Sequence, residues 1–296
     1  MKLLSDFDGV WTHPREESRV QGEIVDALLI EWAPAHLRDG VALWVADARR
    51  AVLAEPDRYG WAPGGRLSAF ADEDPFAEHS ALLHYIHLHA DEDPVAAALH
   101  DAVLAPGHDS LEAFGGAAHA EAVARVEATR GPGVLGSAAA AGRRMLESGI
   151  EIVVVSNSGR EKLDRWFAHA GLPHVVHPAS EPGALRLRGG ARKFVLDPAR
   201  VAVERFGELA VETARPFYES ILREEAPDAV VGDVFSLDLA LPLFLRRTEP
   251  SWRHVRLFWL LHDYSPARIR EQLALHAPEV EPLPDGLAGV ASALLG

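Results

Sequence analysis

The sequence predicts an α/β protein in which a parallel sheet, covered by helices on both faces, is interrupted by a long inserted helical segment. Three observations carry this expectation. Short apolar runs rich in β-branched residues follow helix-like stretches, as in Ile150-Glu151-Ile152-Val153-Val154-Val155 and Ala229-Val230-Val231. Residues 15–130 show apolar spacing of three to four and no convincing alternating strand. Several apolar runs end in Asp, Ser or Asn, the residue types that an open parallel sheet gathers at the carboxyl ends of its strands.

The apolar start, Met1 to Leu4, reads as a first strand that stops at Asp6-Phe7-Asp8-Gly9. Carboxylates at i and i+2 share a strand face and repel, so either the chain breaks into a loop there or a cation joins them. Beyond Thr12, helices are expected over 21–33, 37–54, 75–90 and 110–129, with boundaries at Pro34, Pro56, Pro63-Gly64-Gly65, Pro94, Pro106-Gly107 and Gly131-Pro132-Gly133. A helix over 134–148 closes at Gly149 and feeds the strand 150–155; a helix over 160–170 ends at Gly171 and leads to a short strand near His174. A helix over 216–225 precedes the strand at Ala229, and 255–261 supplies one more apolar strand. Alternating strands and helices argue for a parallel sheet with right-handed crossovers. Residues 184–213 read as short strands at 185–187, 194–196 and 209–211, a hairpin appended to the main sheet.

Composition bounds the function. At 48% hydrophobic residues the 296-residue chain has ample material for a core. Its 44 acidic against 29 basic residues, a formal charge of −15, oppose binding to nucleic acid or an anionic membrane through any broad surface field. The absence of cysteine excludes disulfides, thiolate metal sites and cysteine nucleophiles. No apolar run approaches the roughly 18 residues of a membrane span, and Lys2-Leu3-Leu4 is too short for a signal-peptide core, so a cytoplasmic protein is expected. Lys2, Lys162 and Lys193 are the only lysines.

Three polar runs carry chemistry. Asp6 and Asp8 suit a metal-assisted centre at a strand end. Ser156-Asn157-Ser158-Gly159, between a strand and a helix, offers hydroxyls and free backbone donors to an anion such as phosphate. The run Gly232-Asp233-Val234-Phe235-Ser236-Leu237-Asp238 again ends a buried strand with carboxylates. Singly these read as an Asx-Gly turn, a Ser N-cap and an Asp turn. Parallel strands bring all three to one edge, which makes coincidence the weaker account. By contrast, His84, His87 and His89 ahead of Asp91-Glu92-Asp93 read as an ordinary helix end, because their spacing establishes no tetrahedral site, and Arg49, Arg50 and Arg66 read as surface charges.

On these residues the chain resembles the haloacid dehalogenase-like hydrolase superfamily. Asp6-Phe7-Asp8-Gly9-Val10 matches its first motif, D-x-D-G-T/V; Ser156, closing an apolar strand, matches the second; Gly232, Asp233 and Asp238 match the fourth, G-D-x-x-x-x-D. The resemblance covers 1–14 and about 131–262. It implies a Rossmann-like catalytic core of residues 1–14 and 131–296 with an all-helical C1 cap domain, 15–130, inserted between the first two motifs. It further implies that Asp6 is the nucleophile, Asp8 the general acid and base, and that Mg2+ is held by Asp6, the carbonyl of Asp8 and Asp233, with Asp238 supporting. Ser156 and the amide of Asn157 would bind phosphoryl oxygens.

The third motif is a basic residue near the start of the helix before the fourth. Chain position favours Arg215, followed by Pro216, and residue type favours Lys193; topology gives Arg215 the greater weight. The implied activity is hydrolysis of the phosphoric monoester of a small phosphorylated metabolite. The presence of Asp8 disfavours dehalogenation, and the lack of lysine between Lys2 and Lys162 disfavours phosphonatase chemistry. A sugar-phosphate mutase and a non-catalytic ligand-binding module of the same fold stay open as alternatives.

Overall fold

A computed structural model describes residues 1–296. From β1 (Lys2–Ser5) the chain passes into α1 (Arg15–Trp32) and α2 (Arg38–Ala54), the two-residue strands β2 (Gly60–Trp61) and β3 (Ala69–Phe70), then α3 (Ala77–His89), α4 (Pro94–Leu104) and α5 (Leu111–Arg130). It continues through α6 (Gly136–Glu147), β4 (Glu151–Val155), α7 (Arg160–His169), β5 (His174–Val176), β6 (Leu185–Arg188), β7 (Val203–Phe206) and β8 (Leu209–Glu212). The last elements are α8 (Pro216–Glu225), β9 (Ala229–Gly232), α9 (Ala240–Thr248), β10 (Arg256–Leu260), α10 (Ala267–His276), β11 (Val280–Leu283) and α11 (Gly286–Leu295). Two units result, one of residues 1–13 with 132–296 and one of 14–131. No helix is long and apolar enough to cross a membrane.

The larger unit is built on a seven-stranded sheet in the order β11-β10-β9-β1-β4-β6-β5, parallel at every pairing. β1 lies between β4 and β9, with Leu3 opposite Ile152 and Ala229. Such a sheet is buried on both faces, which is why its central strands are near-continuous apolar runs. On one face Leu3, Ile152, Val154, Leu187, Val231 and Phe258 pack with residues of α6, α7 and α11 in one core cluster. Helix α6 comes so close that a methyl group on Gly142 would lie 2.6 Å from the Trp11 ring.

The opposite face changes character toward its β5 edge. Arg186 and Arg188 of β6 pair with Glu225 near the end of α8, which is 2% exposed. Arg188 also reaches Glu224 at 2.8 Å and Arg186 reaches Glu151 at 2.8 Å. The Leu-Arg-Leu-Arg alternation of β6 therefore belongs to the main sheet and not to an appended hairpin: its polar face is covered by carboxylates instead of water. The hairpin that does form joins β7 to β8 antiparallel and apart from the main sheet, while 194–196 is not a strand. Phe206 of that hairpin packs edge-on against Phe235, with ring centroids 5.1 Å apart.

The helical unit has its own core. Ile24, Val25, Leu29, Val41, Val45, Leu82, Ile86, Leu99, Val103 and Phe114 form one buried cluster drawn from all five helices. The expected helices are present, and the structure adds α4, whose N-cap Asp93 accepts from the Val95 and Ala96 amides with Pro94 in the first turn. The segment is not wholly helical, since β2 and β3 pair through Gly60 and Phe70. Arg49 is bound within this unit to Asp26 at 2.6 Å and Glu78 at 3.1 Å. His84, His87 and His89 of α3 diverge: His89 bonds the Tyr59 hydroxyl at 3.0 Å, His84 packs edge-on to the Tyr59 ring, and His87 lies beside His100.

Candidate active site

Every group of the site stands at the carboxyl end of a strand of the larger unit. β1 ends at Ser5 and the chain turns at once, the Phe7 carbonyl accepting from the Val10 and Trp11 amides at 3.2 and 2.8 Å. The turn is anchored by the Phe7 ring, fully buried against Trp166 and Phe167. Leaving the strand relieves the repulsion expected of two carboxylates on one face, and Asp6 and Asp8 then serve different neighbours.

Asp6 belongs to a cluster of three carboxylates. Asp6, Asp233 and Asp238 each present one oxygen such that all three lie within 4.8 Å of one another. Asp233 follows directly on β9, and Asp238 sits on a wide helical turn, Phe235–Leu239, where its Oδ2 accepts from the Val234 amide at 3.2 Å. Gly9 and Gly232 allow this closeness. A Cβ on Gly9 would stand 2.1 Å from Asp233 Oδ2, and one on Gly232 would stand 2.4 Å from Asp238 Oδ2, while Gly9 also has a φ of +76°.

Lys193 supplies the cation. Its Nζ donates to Asp6 Oδ1 at 2.5 Å and to Asp238 Oδ1 at 2.7 Å, with the side chain 1% exposed. Burial works against the charged amine, but Asp238 and Asp6 outweigh it and hold the ammonium above the usual lysine range. The greater weight given to Arg215 for this role is therefore corrected. Arg215 is fully buried and donates to the Lys193 carbonyl at 2.7 Å, so it braces the residue that touches Asp6. Chain position misled because the loop after β6 folds back along the end of β4. The Gly190 and Ala191 amides donate to the Ser158 and Ser156 carbonyls, each at 2.8 Å, and this carries Lys193 into the cluster.

Ser156 and Asn157 sit where the second motif places them. The Ser156 hydroxyl accepts from the Ser158 amide at 3.0 Å, and Asn157 Oδ1 accepts from the Lys193 amide at 2.8 Å. The Asn157 side chain thus ties this loop to the loop that carries Lys193. Asp8 is held from the same side: Ser158 Oγ donates to its Oδ2 at 2.8 Å, and Lys162 Nζ donates to its Oδ1 at 3.1 Å. The Lys162 ammonium also lies over the Trp166 ring, 4.9 Å from its centroid.

The donor chemistry of the cluster fits a hard divalent cation. Lys193 bonds two of the three carboxylates, and burial, offset by Lys193 and reinforced by the charge of Asp238 and Asp8, pushes the Asp6 carboxyl up to about 8. All-oxygen ligands of this type suit Mg2+.

The first motif turns out of a central strand, the second and fourth flank it on β4 and β9, and a lysine joins the first to the fourth. This is the arrangement of motifs that the resemblance to the haloacid dehalogenase-like superfamily implies. No protein-family model and no curated protein sequence matches the chain. Two solved structures align with it along most of their length. One is a 2-haloacid dehalogenase from Pseudomonas syringae pv. Tomato DC3000, at 14% identity and a TM-score of 0.39, covering 99% of this chain and 97% of that one. The other is a haloacid dehalogenase-like family hydrolase from Xanthomonas campestris, at 14% identity and a TM-score of 0.45, covering 100% of this chain and 94% of that one. Likeness at this level bears on neither substrate nor reaction.

Sequence reasoning missed the contacts of four groups around this cluster. Ser158 and Lys162, four residues apart around the start of α7, both reach Asp8. His262 and Tyr264 follow β10, and their bonds run to the Gly9 carbonyl and to Asp233. A signal existed for each pair. Lys162 is one of few lysines in an arginine-rich chain and lies in the first turn of a helix opening from the second motif. His262-Asp263-Tyr264-Ser265 is a fourth polar run directly after a buried strand.

Proposed function

We propose that this chain is a Mg2+-dependent phosphoric monoester hydrolase that acts on a small phosphorylated metabolite through an aspartyl-phosphate. The observation that carries this reading is the Lys193 ammonium shared by Asp6 and Asp238, beside Asp233 and with Asp8 on the adjoining turn. An anionic nucleophile must approach an anionic phosphate, and a site of this kind achieves it by positioning and by neutralising charge in advance. Mg2+, held by Asp6, Asp233 and the Asp8 carbonyl with Asp238 in support, would supply the positive charge that Lys193 alone does not.

The chain's own residues then divide the work. An Asp6 carboxylate oxygen forms a bond to phosphorus as the bond from phosphorus to the ester oxygen breaks. Asp8 gives its proton to the departing oxygen, so the alcohol leaves neutral. In the second half Asp8 accepts a proton from water as that water attacks phosphorus, and the bond to Asp6 breaks, releasing phosphate and restoring the carboxylate. Lys193 keeps Asp6 in line from the side, and Ser156 with the Asn157 amide would receive the phosphoryl oxygens.

The test is release of phosphate from p-nitrophenyl phosphate with Mg2+ and with EDTA. Asp6→Asn is expected to lower turnover by roughly a thousandfold or more, and chelation to abolish it in the parent protein. Undiminished turnover in Asp6→Asn would sink the mechanism, and a protein inactive toward a broad panel of phosphoesters would favour the non-catalytic module instead.

A further inference from the structure

The loop after β10 lies outside the motifs on which the proposed reaction depends, yet it grips the cluster at two points. Tyr264 donates its hydroxyl to Asp233 Oδ2 at 2.8 Å. His262 Nε2 lies 2.7 Å from the Gly9 carbonyl, and because a carbonyl only accepts, Nε2 carries the hydrogen. The two rings stack, with centroids 4.7 Å apart and planes 18° from parallel. A tight turn holds them there: the His262 amide donates to Ser265 Oγ at 2.9 Å and the Ser265 amide donates to the His262 carbonyl at 3.1 Å. On the strand itself, Trp259 Nε1 donates to the Asp233 carbonyl at 2.7 Å. Asp233 is thus fixed at its backbone by one aromatic residue and at its carboxylate by another.

Gly9 connects the two points. The Asp233 carboxylate rests against the Gly9 α-carbon so closely that a methyl group there would lie 2.1 Å from Oδ2. Tyr264 bonds that same oxygen, and His262 holds the carbonyl of the same glycine. The stacked pair therefore sets the distance between the turn after β1 and the turn after β9, the two segments that carry Asp6 and Asp233.

We infer that Tyr264 and His262 are positioning residues for the divalent cation, Tyr264 by orienting the Asp233 carboxylate and His262 by locking Tyr264 and the first turn together. This rests on the reading of Asp6, Asp233 and Asp238 as the cation site. Groups that hydrogen-bond a metal ligand from behind fix its orientation and basicity, and their loss typically weakens metal binding on the order of 10-fold to 100-fold. Neither side chain is assigned a part in bond making, so the effect falls on cation affinity.

The experiment is titration of the purified, chelator-stripped protein with Mn2+, reading free Mn2+ by its electron paramagnetic resonance signal, with thermal melting in parallel. The parent protein is expected to bind one Mn2+. Tyr264→Phe, which removes one oxygen and keeps the ring, is expected to bind roughly tenfold more weakly with an unchanged metal-free melt. His262→Ala provides an independent variant and is expected to shift affinity in the same direction. Both variants folded and binding Mn2+ within twofold of the parent would overturn the inference while leaving the cation site intact. A parent protein that binds no Mn2+ would overturn the cation site and the inference with it.

Discussion

A buried ammonium between two carboxylates is favourable only while it keeps its partners, because it cannot fall back on water. Lys193 is in that position: 1% exposed, bonded to Asp6 and Asp238, and braced through its carbonyl by Arg215. Removing one partner of such a group typically costs about 3 to 5 kcal/mol, since the remaining charge is left uncompensated. Lys193→Met is therefore expected to lose stability of that order in chelator-treated protein, measured by urea unfolding, and a loss below about 1 kcal/mol would contradict the description of the site. At this scale the carboxylates were legible in the sequence because Asp6, Asp8, Asp233 and Asp238 lie in short local patterns. Lys193 was legible only as one of two candidates. Its contact with Asp6 spans 187 residues and depends on how the loop after β6 lies along β4, which no local pattern encodes.

One histidine of helix α3 bonds both α1 and α2. His79 Nε2 lies 2.8 Å from the Ser18 carbonyl on α1, and Nδ1 lies 3.1 Å from the Arg49 guanidinium on α2. The Ser18 carbonyl only accepts and the guanidinium only donates, so the ring serves both as the neutral Nε2-H form. Burial first, and Arg49 second, push its proton affinity down to about 4 from an ordinary 6.5. The unfolded chain therefore binds the proton more readily than the folded one. Stability from this residue is fully present above about 6.5 and is lost as pH falls from there toward 4, by about 3 kcal/mol in all. Melting curves of the parent and His79→Gln between pH 7.5 and pH 4.5 are expected to converge as pH falls, and a constant gap would refute this. His84, lowered for the same first reason, acts with the same sign and is common to both proteins.

Elements of this kind were read where periodicity is strong and misread where a tertiary partner reverses its meaning. Residues 185–187 were expected in an appended hairpin, whereas β6 lies in the main sheet, where Glu225 and Glu224 receive both of its arginines. Helix α4 opens at Asp93-Pro94, a pair that marks a boundary in the sequence and a cap with its first turn in the structure. The chain beyond 261 contributed no expectation, since the short β11 and the small-residue helix α11 carry weak periodicity.

For the whole molecule, the decisive fact is strand order. With β1 between β4 and β9, three polar runs spread over more than two hundred residues become neighbours at one edge of the sheet. That much followed from the expectation of a parallel sheet. The fourth contribution, from the end of β10, did not, because nothing in His262-Asp263-Tyr264-Ser265 marks which strand it will stand beside. The helical unit stands apart in its energetics: its buried cluster draws on residues 24–122 alone. Its two ends are adjacent, with Arg130 at the end of α5 paired to Glu16 in the first turn of α1 at 3.0 Å. Residues 14–131 produced alone are expected to be helical by circular dichroism and to melt cooperatively. A coil-like spectrum would show that the cluster cannot sustain the unit.

The pairing of the lysines has a practical consequence for labelling. All three ε-amines are engaged: Lys2 with the Glu225 carbonyl and with Glu151 and Glu225, Lys162 with Asp8, and Lys193 with Asp6 and Asp238. Side-chain exposure is 24% for Lys2, 7% for Lys162 and 1% for Lys193. An acylating reagent applied to the native protein should therefore modify Lys2 first and reach the other two only when the chain opens. Mass spectrometry of tryptic peptides over a denaturant series would then report opening of the carboxylate cluster from the protein's own amines.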